Sequence, residues 1–194
     1  FALDAEAALK SLADVCARDE RCRTRYPDFN ERVSALLKRA EGGIDIRIPH
    51  PLTGATESFR LDRKMLASLL RAPLYVPQLS SVLPYALAEA GRGDFTALVA
   101  LSAAISGSVS ENFAVGMHFA VICAEDVPRI DTTTTAQLSA TRFGAAFADL
   151  YRQACRLVPS RSVPPEFYSV PASKVPVLIF SGGLDPATPP RHGD

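Results

Sequence analysis

The stretch VPVLIFSGGLDPATPP, residues 175–190, decides the fold class predicted for this chain. It begins with a continuous apolar run, residues 175–180, rich in β-branched side chains and followed by two glycines. Such a run is typical of a strand covered on both faces, as in the parallel sheets of α/β proteins. Asp185 follows directly, between Leu184 and Pro186. A carboxylate just past the carboxyl end of a buried strand lies where open α/β sheets place their chemistry.

Composition excludes several classes of partner. The chain has 194 residues, with 21 Lys plus Arg and 21 Asp plus Glu, so its charge gives no reason to expect nucleic acid or an anionic membrane. No apolar run approaches the ~18 residues needed to cross a bilayer. The chain shows no signal peptide. It starts inside a predicted helix, and we expect both ends to be cuts through a longer protein.

The first third of the chain predicts two helices and a hairpin. Apolar spacing predicts helices over residues 3–19 and 29–40, the second stopped by Gly42 and Gly43. Isoleucines at 44, 46 and 48 alternate with charged residues, the period of a half-exposed strand, and residues 57–61 can return as its partner.

The remainder predicts further helices joined by irregular segments. Asp62 can cap a helix through residue 70, and helices are predicted at 78–89 and 95–105, with a linker at 107–111. Residues 114–125 suit a helix or a strand, and we favour the helix. Residues 132–135 predict a polar loop in which Thr135 caps a long helix over 137–156. A proline-rich connection follows at 159–171.

Three motifs and the final turn carry a resemblance to a known family. They are Cys16-x2-Asp19-x2-Cys22 with Tyr26-Pro27-Asp28, the segment Ala120-Val121-Ile122-Cys123-Ala124-Glu125-Asp126, Ala154-Cys155 before Leu157-Val158-Pro159, and Ser181-Gly182-Gly183-Leu184-Asp185-Pro186-Ala187-Thr188-Pro189-Pro190. In this order they resemble α/β-hydrolases of the tripeptidyl and prolyl aminopeptidase group. Gly183 departs from the usual acid, and the chain has no Trp where the family has Trp-Pro after the cysteine.

The resemblance implies an α/β-hydrolase fragment with two parts. Residues 1–130 would form a mostly helical cap, or lid, with a small β-hairpin, and residues 131–194 a partial α/β core carrying the triad acid. Asp185 would be that acid, although an Asp beside a proline also caps turns. The nucleophile motif Gly-x-Ser-x-Gly is missing from the sequence, so the catalytic Ser is expected before residue 1 and the catalytic His after residue 194.

The three histidines are poor candidates for the missing base. His192 lies only seven residues after Asp185, and His50 lies in a proline-rich loop where solvation is expected. His118 lies between Met117 and Phe119, which favours a packed, hydrogen-bonded side chain. The spacing of His, Cys and acidic residues suggests no metal site, and no cofactor is expected.

By resemblance the intact enzyme is a serine exopeptidase that releases residues or short peptides from free N-termini. Glu125, with Asp126, would bind the substrate's ammonium group; the alternatives are a helix cap or a pair with Arg129. Its partners would be a peptide or small ester or amide substrate and the rest of the hydrolase chain. The competing hypotheses are an esterase or other small-molecule hydrolase, and a non-catalytic helical interaction module.

Four cysteines allow three pairings. The resemblance favours Cys16 with Cys22, which are also close in sequence, and Cys123 with Cys155. Two disulfides would indicate a secreted or periplasmic protein. Four reduced thiols in a cytosolic protein remain the alternative.

Overall fold

A computed structural model describes residues 1–50, 53–109, 113–169, 171–172 and 174–193, with the backbone alone for 106–109. The chain is mostly helical, with a two-stranded antiparallel hairpin. The strands are β1, Ile44–Pro49, and β2, Thr56–Leu61. The helices are α1 Ala2–Arg18, α2 Glu20–Arg25, α3 Phe29–Glu41, α4 Arg63–Arg71, α5 Pro77–Ser80, α6 Leu83–Arg92, α7 Thr96–Val109, α8 Val115–Glu125, α9 Thr132–Ser139 and α10 Ala146–Cys155.

The hairpin confirms the prediction made from alternating isoleucines. Along β1 the side chains alternate between buried and exposed, so that Ile44, Ile46 and Ile48 face the core. Ile44 is paired with Leu61 and Ile46 with Phe59. One face of the hairpin therefore covers the helices, while its charged face meets water.

The helices predicted in the first half of the chain are confirmed, except that one of them is divided into two. α1, α3 and α4 match the predicted spans, and Asp62 caps α4 by accepting a hydrogen bond from the backbone N–H of Met65 at 2.8 Å. The helix predicted over 78–89 is split into α5 and α6, because Pro84 at the start of α6 suits a helix N-terminus better than a helix interior.

The core is formed by the apolar faces of these helices and the hairpin. Its largest fully buried aromatic side chain is Phe95, just before α7, and leucines of α1, α3, α4 and α6 surround the same cluster. The predicted linker at 107–111 is partly wrong, since residues 107–109 extend α7. Ser110 and Glu111 lie outside the described residues.

The long helix predicted over 137–156 is wrong. The chain forms α9 and α10, separated by residues 140–145, in which Gly144 has a φ of +65° that strongly favours glycine. The polar loop predicted at 132–135 is also wrong. These threonines form the first turn of α9, because Asp131, one residue earlier, accepts a hydrogen bond from the N–H of Thr134 at 2.6 Å.

Contacts cross the boundary predicted at residue 130. The Nε of Arg142 donates to Glu6 Oε1 at 2.7 Å, and Phe143 is buried in the cluster formed by the first half of the chain. A disulfide joins α8 to α10. The division into a cap and a partial core stays a prediction, and residues 140–145 pack with the helices assigned to the cap.

The segment that predicted a buried strand is exposed. Residues 174–180 form no strand, and the side chains of Leu178 and Phe180 are 78% and 89% exposed. A strand needs a neighbour to bond its backbone groups, and the described strands pair only with each other. The strand prediction is therefore wrong for this chain, although the apolar pattern that produced it remains on the surface.

Candidate functional site

Asp185 is held in a tight turn by its own neighbours. Its Oδ1 accepts hydrogen bonds from the N–H groups of Ala187 at 2.8 Å and Thr188 at 3.0 Å, and its Oδ2 accepts from the Thr188 hydroxyl at 2.9 Å. The Asp185 side chain is half-buried, and Pro186 beside it is fully buried. The carboxylate therefore has a fixed orientation, which is what a turn-capping Asp and a triad acid both require.

The electrostatics of this turn keep Asp185 ionised. The backbone hydrogen bond from Thr188 contributes most to lowering the pKa of the carboxyl group, partial burial opposes it, and Ala187 and the charge of His192 lower it further. A carboxylate can accept about four hydrogen bonds, and three are used here. Asp185 retains the charge and the spare acceptor capacity that a histidine partner would need.

Ser181 belongs to the same turn and is not poised as a nucleophile. Its hydroxyl donates to the carbonyl of Thr188 at 2.8 Å. A catalytic serine needs a base within hydrogen-bond distance, and the hydroxyl of Ser181 instead closes the turn that carries Asp185.

The described structure pairs none of the three histidines with Asp185. Nε2 of His192 lies 2.9 Å from Oδ1 of Asp4. Nε2 of His118 lies 3.1 Å from the Tyr151 hydroxyl among aromatic rings, which confirms the predicted packed, hydrogen-bonded side chain. His50 is half-buried, and its Nδ1 accepts from the N–H of Thr53 at 3.2 Å, so this loop histidine is partly solvated.

Asp4 is a buried charge that sequence analysis missed. Its side chain lies on the buried face of α1 and the residue is 4% exposed. It accepts from Arg191 and His192 and contacts the amino group of Phe1 at 3.2 Å. The available signal was its spacing: Asp4 falls on the same helical face as Ala8 and Leu12.

Asp4 makes stability depend on pH. In the 194-residue chain, burial alone would raise the pKa of Asp4, but the hydrogen bonds from His192 and the Phe1 amino group and the positive charge of Arg191 lower it overall. The unfolded chain then binds protons more readily than the folded one, so this contribution is present at neutral pH and is lost as pH falls below the ordinary value of 3.8. We expect Asp4→Asn to lower the free energy of unfolding at pH 7, and the difference from the parent chain to narrow as pH falls below 3.8. Urea titrations across this pH range measure the difference in the free energy of unfolding.

Asp45→Asn, which removes an exposed partner of Arg60, is the control. It should change the free energy of unfolding little at any pH. A gap that persists unchanged to pH 3 would contradict the assignment.

The carboxylates of Glu125 and Asp126 lie at the C-terminal end of α8. The carbonyl of Glu125 accepts from the hydroxyl of Tyr168, and the carbonyl of Ala124 from the N–H of Val163 at 3.1 Å. Neither carboxylate makes a hydrogen bond or ion pair with the described residues. The pair with Arg129 that was considered from sequence is not formed, since that guanidinium lies 4.1 Å from the Tyr168 ring centroid. Two acids near a helix C-terminus oppose the helix dipole, so local stability does not account for them.

Both predicted cysteine pairs are confirmed. Cys16 is bonded to Cys22 and Cys123 to Cys155, with Cα–Cα distances of 5.0 and 5.3 Å. The first links the ends of α1 and α2, and the second joins α8 to α10. Disulfides persist mainly in oxidising compartments.

In the described ranges, no group of three or more His, Cys, Asp or Glu is placed to hold a metal ion, and no helix is long and apolar enough to cross a membrane. Comparison of the chain with protein-family models, with curated proteins and with solved structures finds no match.

Proposed function

We propose that the chain is part of a serine-type α/β-hydrolase and that Asp185 is its triad acid. The observation that carries this proposal is the exposed apolar segment at 175–180, which leads directly into the turn that fixes the Asp185 carboxylate. Four of its side chains, those of Val175, Val177, Leu178 and Phe180, are each at least 70% exposed. An exposed apolar segment of this kind is unfavourable in water and typical of a contact region.

The rest of the hydrolase would cover the exposed apolar segment at 175–180. In a parallel sheet, flanking strands would pair with the edges of this segment and helices would cover its two faces. Asp185 would then lie at the carboxyl edge of the sheet with the other triad members. The Ser and His would come from outside these 194 residues. The Ser would attack the scissile carbonyl and the His would take and return its proton, while Asp185 orients the imidazole and stabilises its charged form.

The substrates proposed are peptides with a free N-terminus, and no cofactor is required. The unpaired carboxylate of Glu125, with Asp126 beside it, would accept a charge-assisted hydrogen bond from the substrate's ammonium group. The two disulfides support a secreted or periplasmic location.

Substrates with and without a free amine test the role of Glu125. In the complete enzyme we expect Glu125→Gln to lower kcat/KM for free peptides by about tenfold or more, because a charged hydrogen bond is lost, and to leave N-acetylated substrates of the same sequence nearly unchanged. Glu57→Gln on the hairpin removes an exposed acid and is the matched control. Equal losses on both substrates would show that Glu125 is structural.

Comparing the 194-residue chain with the complete protein tests whether the Ser and His of the triad lie outside this chain. We expect only the complete protein to hydrolyse tripeptidyl reporter substrates and to be labelled by a fluorophosphonate. Two serines could act as an alternative nucleophile within the chain, Ser181 in the Asp185 turn and Ser108 in the segment 107–111. Turnover by the shorter chain that disappears on mutation of either serine would contradict the proposal. Reading the coding sequence on both sides for a Gly-x-Ser-x-Gly motif and a later His is the simplest first step.

A non-catalytic interaction module is favoured by one feature, the outer surface of α8. Met117 is 68% exposed, and Phe113, Val115 and Val121 are exposed as well. If the complete protein shows no turnover and no fluorophosphonate labelling, binding through such apolar surfaces is the function that remains.

A further inference from the structure

An open, mainly apolar groove lies between α4 and α10. It encloses about 270 Å³. This is close to the ~300 Å³ at which small-molecule sites begin. Its walls are mainly apolar, with two charged side chains among them: Met65, Phe143, Phe147, Leu150, Lys64 and Asp149.

Arg71 lies at the end of α4, one helical turn beyond the groove residues Ala67 and Ser68. Its guanidinium is 4.5 Å from the ring centroid of Phe147, which is itself a wall of the groove. The rings of Phe1 and Tyr75 lie at 5.5 and 5.6 Å. Three aromatic contacts hold the cation in place, since cation–π attraction acts within about 6 Å.

The hydrogen-bonding capacity of Arg71 is unused. Its guanidinium makes no hydrogen bond or ion pair with any residue that the structure describes. Other arginines of the same region are paired: Arg63 with Glu41, Arg142 with Glu6 and Arg152 with Asp149. A guanidinium has five N–H donors in a planar fork, so Arg71 offers a complete site for a planar anion.

The charge of Arg71 acts on a neighbouring tyrosine, Tyr151. Burial raises the pKa of the Tyr151 hydroxyl, the positive charge of Arg71 opposes that shift, and Tyr75 adds to it. Arg71 and the two tyrosines are therefore within electrostatic range of one another. The Tyr151 hydroxyl is also 3.1 Å from Nε2 of His118.

We propose that Arg71 binds the C-terminal carboxylate of a short peptide whose last, apolar side chain occupies the groove between α4 and α10. A carboxylate matches the guanidinium fork in shape and charge. A peptide fits the groove better than an alkyl chain does, because the Lys64 ammonium group among the apolar walls can donate to a peptide carbonyl. The proposal goes beyond the activity assigned to Asp185 and does not depend on it, since it is tested by binding alone.

The decisive probes are N-acetyl-Ala-Leu-Phe with a free carboxylate and the same peptide with a C-terminal amide. We expect the free acid to bind about tenfold or more tightly than the amide in calorimetric titrations. Arg71→Gln should weaken binding of the acid to the level of the amide and leave the amide unchanged. Arg129→Gln removes another arginine that lies over an aromatic ring and should keep the discrimination between acid and amide.

Further variants and probes can overturn the proposal. Leu150 lies in the groove and is exposed, so Leu150→Glu should preserve the fold and weaken binding of the acid. Thermal unfolding verifies that each variant is folded. Equal binding of acid and amide, or equal losses in Arg71→Gln and Arg129→Gln, would refute the role of Arg71. Octanoate or inorganic phosphate binding as tightly as the peptide would refute the peptide as ligand.

Discussion

Asp185→Asn should lower the turnover of the complete enzyme by about four orders of magnitude. The substitution preserves the turn, because an Asn side-chain oxygen can still accept from the N–H groups of Ala187 and Thr188. It removes the negative charge that would orient the catalytic histidine and stabilise its imidazolium form. The loss should therefore fall on kcat, with little change in the free energy of unfolding.

Asp131→Asn is the matched control for this experiment. Asp131 also accepts a backbone N–H, from Thr134, and Asn is an equally good N-cap, so the control removes one charge without removing a cap. Reporter hydrolysis gives kcat and KM for both variants, and thermal unfolding verifies their folds. If Asp185→Asn retains near-normal turnover while the enzyme is otherwise active, Asp185 is a turn residue and the triad acid lies elsewhere.

Removal of the disulfide between Cys123 and Cys155 should cost about 3–4 kcal/mol of the free energy of unfolding. The bond closes a loop between residues 32 apart in sequence and joins α8 to α10, so its loss frees a long segment of the unfolded chain. The Cys16–Cys22 pair, separated by only 6 residues, is the comparison. The same loop-closure argument gives a loss of about 2 kcal/mol in the free energy of unfolding when this bond is removed.

Two double variants measure the difference. Cys123→Ala with Cys155→Ala and Cys16→Ala with Cys22→Ala should both unfold at lower denaturant concentration than the parent chain, the first at the lower of the two. Thiol titration of the unfolded, unreduced parent should find no reactive cysteine. Four reactive thiols would contradict both bridges, and equal destabilisation of the two variants would contradict the loop-length argument.

Local patterns in the sequence predicted most of the elements correctly. The alternating isoleucines of β1 and the acid at Asp62 each depend on residues within a few positions, so the hairpin and the start of α4 followed from them. The failures arose where one local signal outweighed another. Asp131 caps α9 ahead of the threonines, and Gly144 interrupts the apolar period that suggested one long helix.

The candidate site was predictable only in part. The Asp185 turn is local, and its hydrogen bonds follow from the order of residues in Asp-Pro-Ala-Thr. No local sequence pattern indicated Arg71 as a binding residue. Its environment is assembled from Phe1, Tyr75 and Phe147, which are far apart in sequence. The same is true of Asp4 and His192, which are 188 positions apart.

The sequence by itself determined most of the helices in the first half, the hairpin and the turn that fixes Asp185, because each arises from backbone preferences and hydrogen bonds over a few residues. The tertiary structure decided which charges meet and which apolar segments are covered, since these depend on which surfaces fold together. Residues 175–180 show the distinction most clearly. Their apolar pattern is that of a buried strand, yet a strand exists only where neighbouring chain bonds its edges, and the described chain leaves Phe180 in water.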